Sequence, residues 1–397
     1  MIFCLAVSAV EVFKWIGYFI VALLCLMLMI MLHELGHYTF GKIFKFKINE
    51  FSIGFGPKIF SKTNSKTGEV FSIRCVPLGG YCAFAGEDEE VPDESELSEE
   101  EDKEKYKYYF NKRPVWQRII VLFAGAGFNF ISALIVITIF FAGYGEYFPV
   151  VGDVYQHVEY NKDGTYEVIE GSQQLQQGDV IYSVNGKYCY SLLEFNRLNK
   201  LVAEGGDTLD LVVLRDGEAV NVKLEKNYYL TYVDGEETDE EGNPVKVPAV
   251  SQSKGIGMSL ATFSVEKLPF GRALGHGFTF GYDILRVTFT TLGQVFTGQA
   301  AVSDSLGGTA TAIYSLAQLV QAGIPAIIYG FCLLSISIGI MNILPLPALD
   351  GSRIVFAIIE GIRRKPLNRK VEGMIHFVGI IVLFALAIIL DLVHFFG

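Results

Sequence analysis

Apolar residues fall in long runs, separated by stretches in which polar and apolar positions alternate, and this contrast predicts most of the elements. Residues 12–32 hold one Lys and one Gly among otherwise apolar or aromatic positions. Residues 119–142, 324–341 and 377–390 have the same character. Each run, with its flanks, is long enough or nearly so to cross a hydrocarbon core about 30 Å thick as a helix. The chain is therefore expected to be a polytopic α-helical membrane protein with about four transmembrane helices. The first run has no clear positive start and ends in His-Glu rather than a small-residue cleavage site, so it reads as a retained anchor.

Between the second and third runs the pattern changes. PVVGDVYQHV, GDVIYSVNGK, DTLDLVVLRDG and EAVNVKLEK alternate as half-buried strands, with Asn-Gly and Asp-Gly turns between several of them. SLLEFNRLNKLVAEG carries apolar residues at helical spacing and ends on Gly. An inserted α+β module is expected at 148–230. It is followed by an acidic loop or surface hairpin and a return strand at 231–270. The membrane portions are then 1–147 and 271–397, the latter opening on an amphipathic segment at 271–300.

FSIGFGPKIF and VFSIRCVPLGGYCAF, after the first run, are rich in aromatic and β-branched residues and punctuated by Gly and Pro. They read as short strands of a membrane-associated β-sheet. Such backbone is tolerated at bilayer depth only where protein or a water-filled cavity satisfies it.

Composition and charge sharpen this picture. Hydrophobic residues make up 51% of the chain and charged residues only 19%. The net charge of −11 is local, because residues 87–104 hold twelve carboxylates against one lysine. This argues against nucleic acid as a partner and leaves membrane lipid as the surrounding medium. Lys42, Lys45, Lys47 and Lys58 follow the first run, and Arg353, Arg363, Arg364, Lys365, Arg369 and Lys370 lie between the last two. The positive-inside rule puts both clusters on the cytoplasmic side and the inserted module outside. The six cysteines form no Cys-x-x-Cys pair and are expected to be small buried hydrophobes.

The chemistry centres on His33-Glu-Leu-Gly-His37. Two histidines four apart on a helix project from one face and can grip one Zn2+ ion. Glu34 falls beside them, placed to take a proton from an attacking water. Ionisable groups at the end of an apolar span are costly and point to function. A catalytic zinc needs a third protein ligand and an open position. Residues 40 and 43 are Phe and Ile, so the longer HExxHxxGxxH form is absent. Glu50 lies at a plausible spacing but in a strand-like segment. Asp350 is the stronger candidate: an isolated carboxylate at the end of an uncharged span, at the expected depth of His33 and His37. Pro345 and Pro347 break that span and free local carbonyls. The alternative is that Asp350 caps the following helix.

HELGH, the later Asn342-x-x-Pro-x-Pro-x-Leu-Asp-Gly and an intervening PDZ-like module together resemble the site-2 protease family of intramembrane zinc metalloproteases, in its bacterial RseP-like type with a single PDZ domain. The resemblance covers nearly the whole chain. It includes Gly125-Ala-Gly-Phe-Asn129 in the second run and the Gly-Phe-Gly-Pro57 and Pro-Leu-Gly-Gly-Tyr81 segments. It implies that His33, His37 and Asp350 bind zinc while Glu34 is general base and then acid. It also implies that Asn342 contacts the substrate backbone and that the sheet around 51–84 holds substrate as an added strand. Asn129 would help hold the tetrahedral intermediate, or serve as a helix-packing amide. The module resembles a PDZ domain through Leu-x-x-Gly178-Asp179-Val-Ile-x-x-Val-Asn185-Gly186 and lacks a Gly-Leu-Gly-Phe loop, so peptide capture and size exclusion are both open. The implied partners are pre-trimmed single-pass membrane proteins, such as anti-sigma factors or signal-peptide remnants, cut at the cytoplasmic side of a bacterial inner membrane.

His157, His276, His376 and His394 are expected at solvated or interfacial positions. Two other functional classes fit the sequence less well. An anchored adaptor with a structural metal would need a fourth side-chain ligand at the same depth, and none is evident. A metal transporter would carry more intramembrane carboxylates and histidines than this chain does.

Overall fold

The computed structural model describes residues 9–87, 106–161, 165–189, 194–238, 244–298, 307–365 and 367–396. The acidic block expected at 87–104 therefore lies outside the described residues apart from Glu87. In chain order the helices are α1 (Ala9–Ile43), α2 (Val115–Gly143), α3 (Glu194–Glu204), α4 (Phe270–Phe296), α5 (Thr309–Ala322), α6 (Ile324–Ile343), α7 (Asp350–Arg363) and α8 (Arg369–Phe396). Four stretches, Val10–Ile43, Val115–Gly143, Ile324–Ile343 and Lys370–Phe395, are long and apolar enough to cross a membrane, one for each expected run. Their outward residues are apolar too: Phe13, Ile131, Ile139 and Phe384 are exposed. A helix hydrophobic all round is a membrane span or a deeply buried one, and exposure decides for the membrane.

The chain forms two units, Met1–Thr138 with Leu274–Gly397, and Ile139–Ala273. In the first, β1 (Ile48–Thr63) and β2 (Val70–Phe84) make a sheet of two long, bent strands. Phe51 lies opposite both Cys82 and Phe71, so Glu50–Ile53 is flanked on both sides by parts of β2. The short strands expected here are thus continuous through their bends, because Gly54 and Gly56 take φ of 86° and 83° and turn the chain without ending it. Phe46, Ile48, Phe84, Phe110, Val121 and Leu122 form one cluster that fixes this sheet to α2.

Small residues set the helix spacing. A Cβ on Gly36 would fall 2.2 Å from the Ala124 carbonyl oxygen, so α1 and α2 touch backbone to backbone there. Ser335 Oγ donates to the Asn129 carbonyl at 3.2 Å and Cys332 Sγ to that of Ala133 at 3.5 Å, joining α6 to α2. Close approach through small side chains is how helices associate where lipid supplies no hydrophobic driving force. α7 is held by a buried ion pair, Arg118 Nη1 to Glu360 Oε2 at 2.5 Å, while Glu360 Oε1 accepts the Leu367 amide at 2.9 Å. Asp391, on α8, accepts the amides of Ala310 and Thr311 and so caps α5, whose own N-cap residue Gly308 has no side chain to do it.

The strands of the second unit are β3 (Glu146–Val154), β4 (His157–Tyr160), β5 (Tyr166–Val168), β6 (Val180–Val184), β7 (Lys187–Tyr188), β8 (Thr208–Arg215), β9 (Glu218–Glu225), β10 (Tyr228–Thr238), β11 (Pro244–Val250) and β12 (Met258–Glu266). They make a six-stranded sheet, order β12-β3-β6-β8-β9 with β7 paired to β6, and a four-stranded sheet, order β11-β10-β4-β5. Asn185-Gly186 and Asp216-Gly217 all have positive φ, the backbone that two-residue hairpins require. Arg215 grips Asp179 through both carboxylate oxygens at 2.8 and 2.7 Å, tying the Gly-Asp turn to the end of β8. The single strand read through PVVGDVYQHV is divided: β3 joins the larger sheet and β4 the smaller. The break falls at Tyr155 and Gln156, between the two strands; the Tyr155 amide bonds to Gly257 O, with Gly257 in a left-handed backbone leaving room for His157. Of the acidic stretch at 233–247, residues 233–238 belong to β10 and residues 244–247 to its antiparallel partner β11, while 239–243 lie outside the described residues.

Candidate metal centre

Helix geometry places the first two groups. His33 and His37 lie one turn apart on α1, both buried, with ring centroids 4.8 Å apart and planes at 81°. The His37 Nδ1–H donates to the Val121 carbonyl at 2.9 Å. That bond fixes the tautomer, leaving Nε2 a lone pair aimed into the site. His33 Nε2 lies 3.1 Å from His37 Nε2.

The third group comes from the far end of the chain. After Pro345 and Pro347, Ala348 takes φ of 78° and α7 begins at Asp350. Asp350 Oδ2 sits 2.9 Å from His33 Nε2 and 3.2 Å from His37 Nε2. Leu349 is the N-cap residue and makes no side-chain cap, and the Asp350 carboxylate is turned to the imidazoles.

His33, His37 and Asp350 are the group of possible ligands found among the described residues, their donor atoms all within 4.8 Å. Zinc donors about 2.0–2.2 Å from the ion in a tetrahedral set lie about 3.3 Å from one another, close to the spacing here. Two imidazole nitrogens and a carboxylate oxygen converging on one point are the donor set of a catalytic zinc site, so the residues present fit zinc. Space for them is made by Gly125 of α2, where a Cβ would lie 2.4 Å from His37 Nε2 and 2.7 Å from His33 Cε1.

Glu34 lies half-buried beside the cluster, with the backbone amide of Cys82 on β2 near its carboxylate. Gly80 passes close by: a Cβ there would be 3.5 Å from Glu34 Cγ. Glu50 is elsewhere. It takes hydrogen bonds from Ser72 at 2.6 Å and Arg74 at 2.9 Å and an ion pair from Lys58 at 3.1 Å. Asn129 is fully buried, and neither atom of its amide has a hydrogen-bond partner among the described residues. Asn342 is half-buried in the last turn of α6, and no hydrogen bond joins either amide to the three-residue cluster.

The model for peptidase family M50 matches residues 21–386, from α1 into α8. The chain belongs to that family. It is a zinc metalloprotease of the site-2 protease family, embedded in a membrane by its apolar helices. A Mesorhizobium japonicum relative is 29% identical over 375 residues, 92% of this chain and 95% of its own. The zinc metalloprotease RasP of Geobacillus kaustophilus is 29% identical over 433 aligned positions, 92% of this chain and 93% of its own. That of Oceanobacillus iheyensis is 27% identical over 432, with 91% and 94% covered.

Several residues of this M50 centre carried no signal of their own in the sequence. The Val121 carbonyl and the Cys82 amide are main-chain groups, which any residue type supplies. His376, expected at a solvated or interfacial position, is instead buried, as are His157 and His276. Its Nδ1 accepts the Ala348 amide at 3.1 Å. A histidine at a span edge looks the same in sequence whether it faces lipid headgroups or a loop.

Proposed function

We propose that this chain hydrolyses peptide bonds within, or at the boundary of, the transmembrane segment of single-pass membrane proteins already trimmed outside. The observation that carries the reading is the convergence of His33 Nε2, His37 Nε2 and Asp350 Oδ2 to within 3.2 Å beside Glu34. His33, His37 and Asp350 hold the ion. Zinc, when bound, supplies Lewis acidity, bringing the pKa of water down to about 7 and polarising the scissile carbonyl. Glu34 takes the proton of the attacking water and returns it to the leaving amine. The Cys82 amide orients the Glu34 carboxylate for both transfers.

The substrate is laid along β2 as an added strand, which main-chain hydrogen bonds accomplish with little demand on side-chain identity. A helical substrate must unwind to do this, since a hydrogen-bonded carbonyl is shielded. Asn342 contacts that unwound backbone, and the unpaired amide of Asn129 turns toward the tetrahedral intermediate. The site faces the cytoplasmic side of a bacterial plasma membrane and the inserted module, PDZ-like in its turns, lies outside. Substrates of the anti-sigma-factor or signal-peptide-remnant kind suit this reading.

The experiment uses full-length protein in detergent with a model single-pass substrate. Glu34→Gln should retain zinc and lose turnover by about 10²–10⁴-fold, the range for general acid–base groups. Full activity in that variant would overturn the mechanism.

A further inference from the structure

Asp350 is the only member of the proposed ligand set that does not sit within a long helix, and what holds it is the question. It follows Leu344-Pro-Leu-Pro-Ala-Leu349, a turn between α6 and α7. Ala348 in that turn has φ of 78°, a left-handed backbone that is sterically unfavourable for a non-glycine residue. Such conformations persist only where the surroundings over-determine them.

Two residues one helical turn apart on α8 do so. His376 is buried, its Nδ1 accepts the Ala348 amide at 3.1 Å, and its ring meets Phe356 of α7 edge-on, centroids 5.7 Å apart at 87°. Three residues on, Gly379 lets the turn lie directly on the helix: a Cβ there would be 2.4 Å from Pro347 Cβ and 2.7 Å from its carbonyl carbon. One contact aims the amide two residues before Asp350, and the other seats the residue before that amide. At positions 376 and 379 α8 thus bonds and packs against the ligand-bearing turn.

We propose that His376 and Gly379 form a platform that positions Asp350, so that the last span sets metal affinity without contributing a ligand. His376 is a positioning residue: it acts through the Ala348 amide and touches neither substrate nor ion. Partners that orient a metal ligand typically account for 10–100-fold in metal affinity. The inference rests on Asp350 being a ligand.

The test measures zinc dissociation constants of the full-length protein in detergent, by competition with a chromogenic chelator. It is paired with the visible spectrum of the cobalt(II)-substituted protein. Asparagine places its Oδ1 where His376 carries Nδ1, and leucine offers no acceptor. His376→Leu should weaken zinc by at least 10-fold and alter the cobalt spectrum, while His376→Asn should stay within about 3-fold of the unmodified chain. Gly379→Ala, which displaces Pro347, should fall with His376→Leu. Equal zinc affinity in His376→Leu and the unmodified chain would overturn the proposal, as would equal losses in His376→Asn and His376→Leu, since packing alone would then explain them. Asp350→Asn runs alongside. If it keeps full zinc affinity, the ligand assignment fails and this inference falls with it. If it loses zinc while His376→Leu does not, only the platform fails.

Discussion

The Asp350 carboxylate meets the His33 imidazole at 2.9 Å across 317 residues of sequence. One side of the pair rests on a long apolar helix and the other on a proline-broken turn. Changes that leave every ligand in place can therefore still undo the site.

Gly125 tests the space around the imidazoles. An added methyl would lie 2.4 Å from His37 Nε2, whose ring cannot swing away without losing Val121 O. Gly125→Ala should reduce zinc retained after chelator challenge by more than about 10-fold. Gly127→Ala, two residues on with nothing within 4 Å, should retain zinc like the unmodified chain.

Gly351 tests the other side. A Cβ there would stand 2.2 Å from both the Ile343 and Leu344 carbonyl oxygens, so α7 must move for any larger residue. Gly351→Ala should shift Asp350 and lower zinc occupancy, while the far-ultraviolet circular dichroism stays that of the parent. Parental occupancy would mean that the end of α6 yields instead.

The Arg118–Glu360 pair is buried on both sides, and its loss should be read in thermal unfolding in detergent. Breaking a buried pair leaves an uncompensated charge and costs about 3–5 kcal/mol. Arg118→Met should lower the midpoint strongly. The double variant with Glu360→Met should recover part of the loss, because neither charge then remains. A double variant no better than the single would place the cost in the Leu367 amide that Glu360 also accepts.

Glu50 predicts a pH dependence. Burial would raise its carboxyl, but hydrogen bonds from Ser72, Arg74, Lys58 and Tyr81 outweigh it and hold the group at about 2, against an ordinary 4.5. A folded-state value below the unfolded one adds stability that is present above about 4.5 and is lost as pH falls toward about 2. Glu50→Gln should therefore unfold at lower temperature than the parent at pH 6. The gap should close progressively between pH 4.5 and 2. A gap constant with pH would assign the effect to packing.

Local pattern alone determined a good deal about this protein. Four apolar runs became four span-length helices because a 20-residue apolar stretch has few other ways to satisfy its backbone away from water. HELGH carried its geometry within itself, since a spacing of four on a helix fixes two rings on one face. Asn185-Gly186 and Asp216-Gly217 announced their hairpins because few residues tolerate positive φ. Asp350 was visible as a carboxylate with no solvation in its own neighbourhood. Tertiary structure alone decided how these pieces meet. Gly36 and Gly125 matter through the backbone and rings of another helix. Val121 and Cys82 act through main-chain atoms, and His376 through an amide 28 residues away in the chain. None of these follows from periodicity or residue type, because each is a distance between segments whose separation is set only when the helices pack.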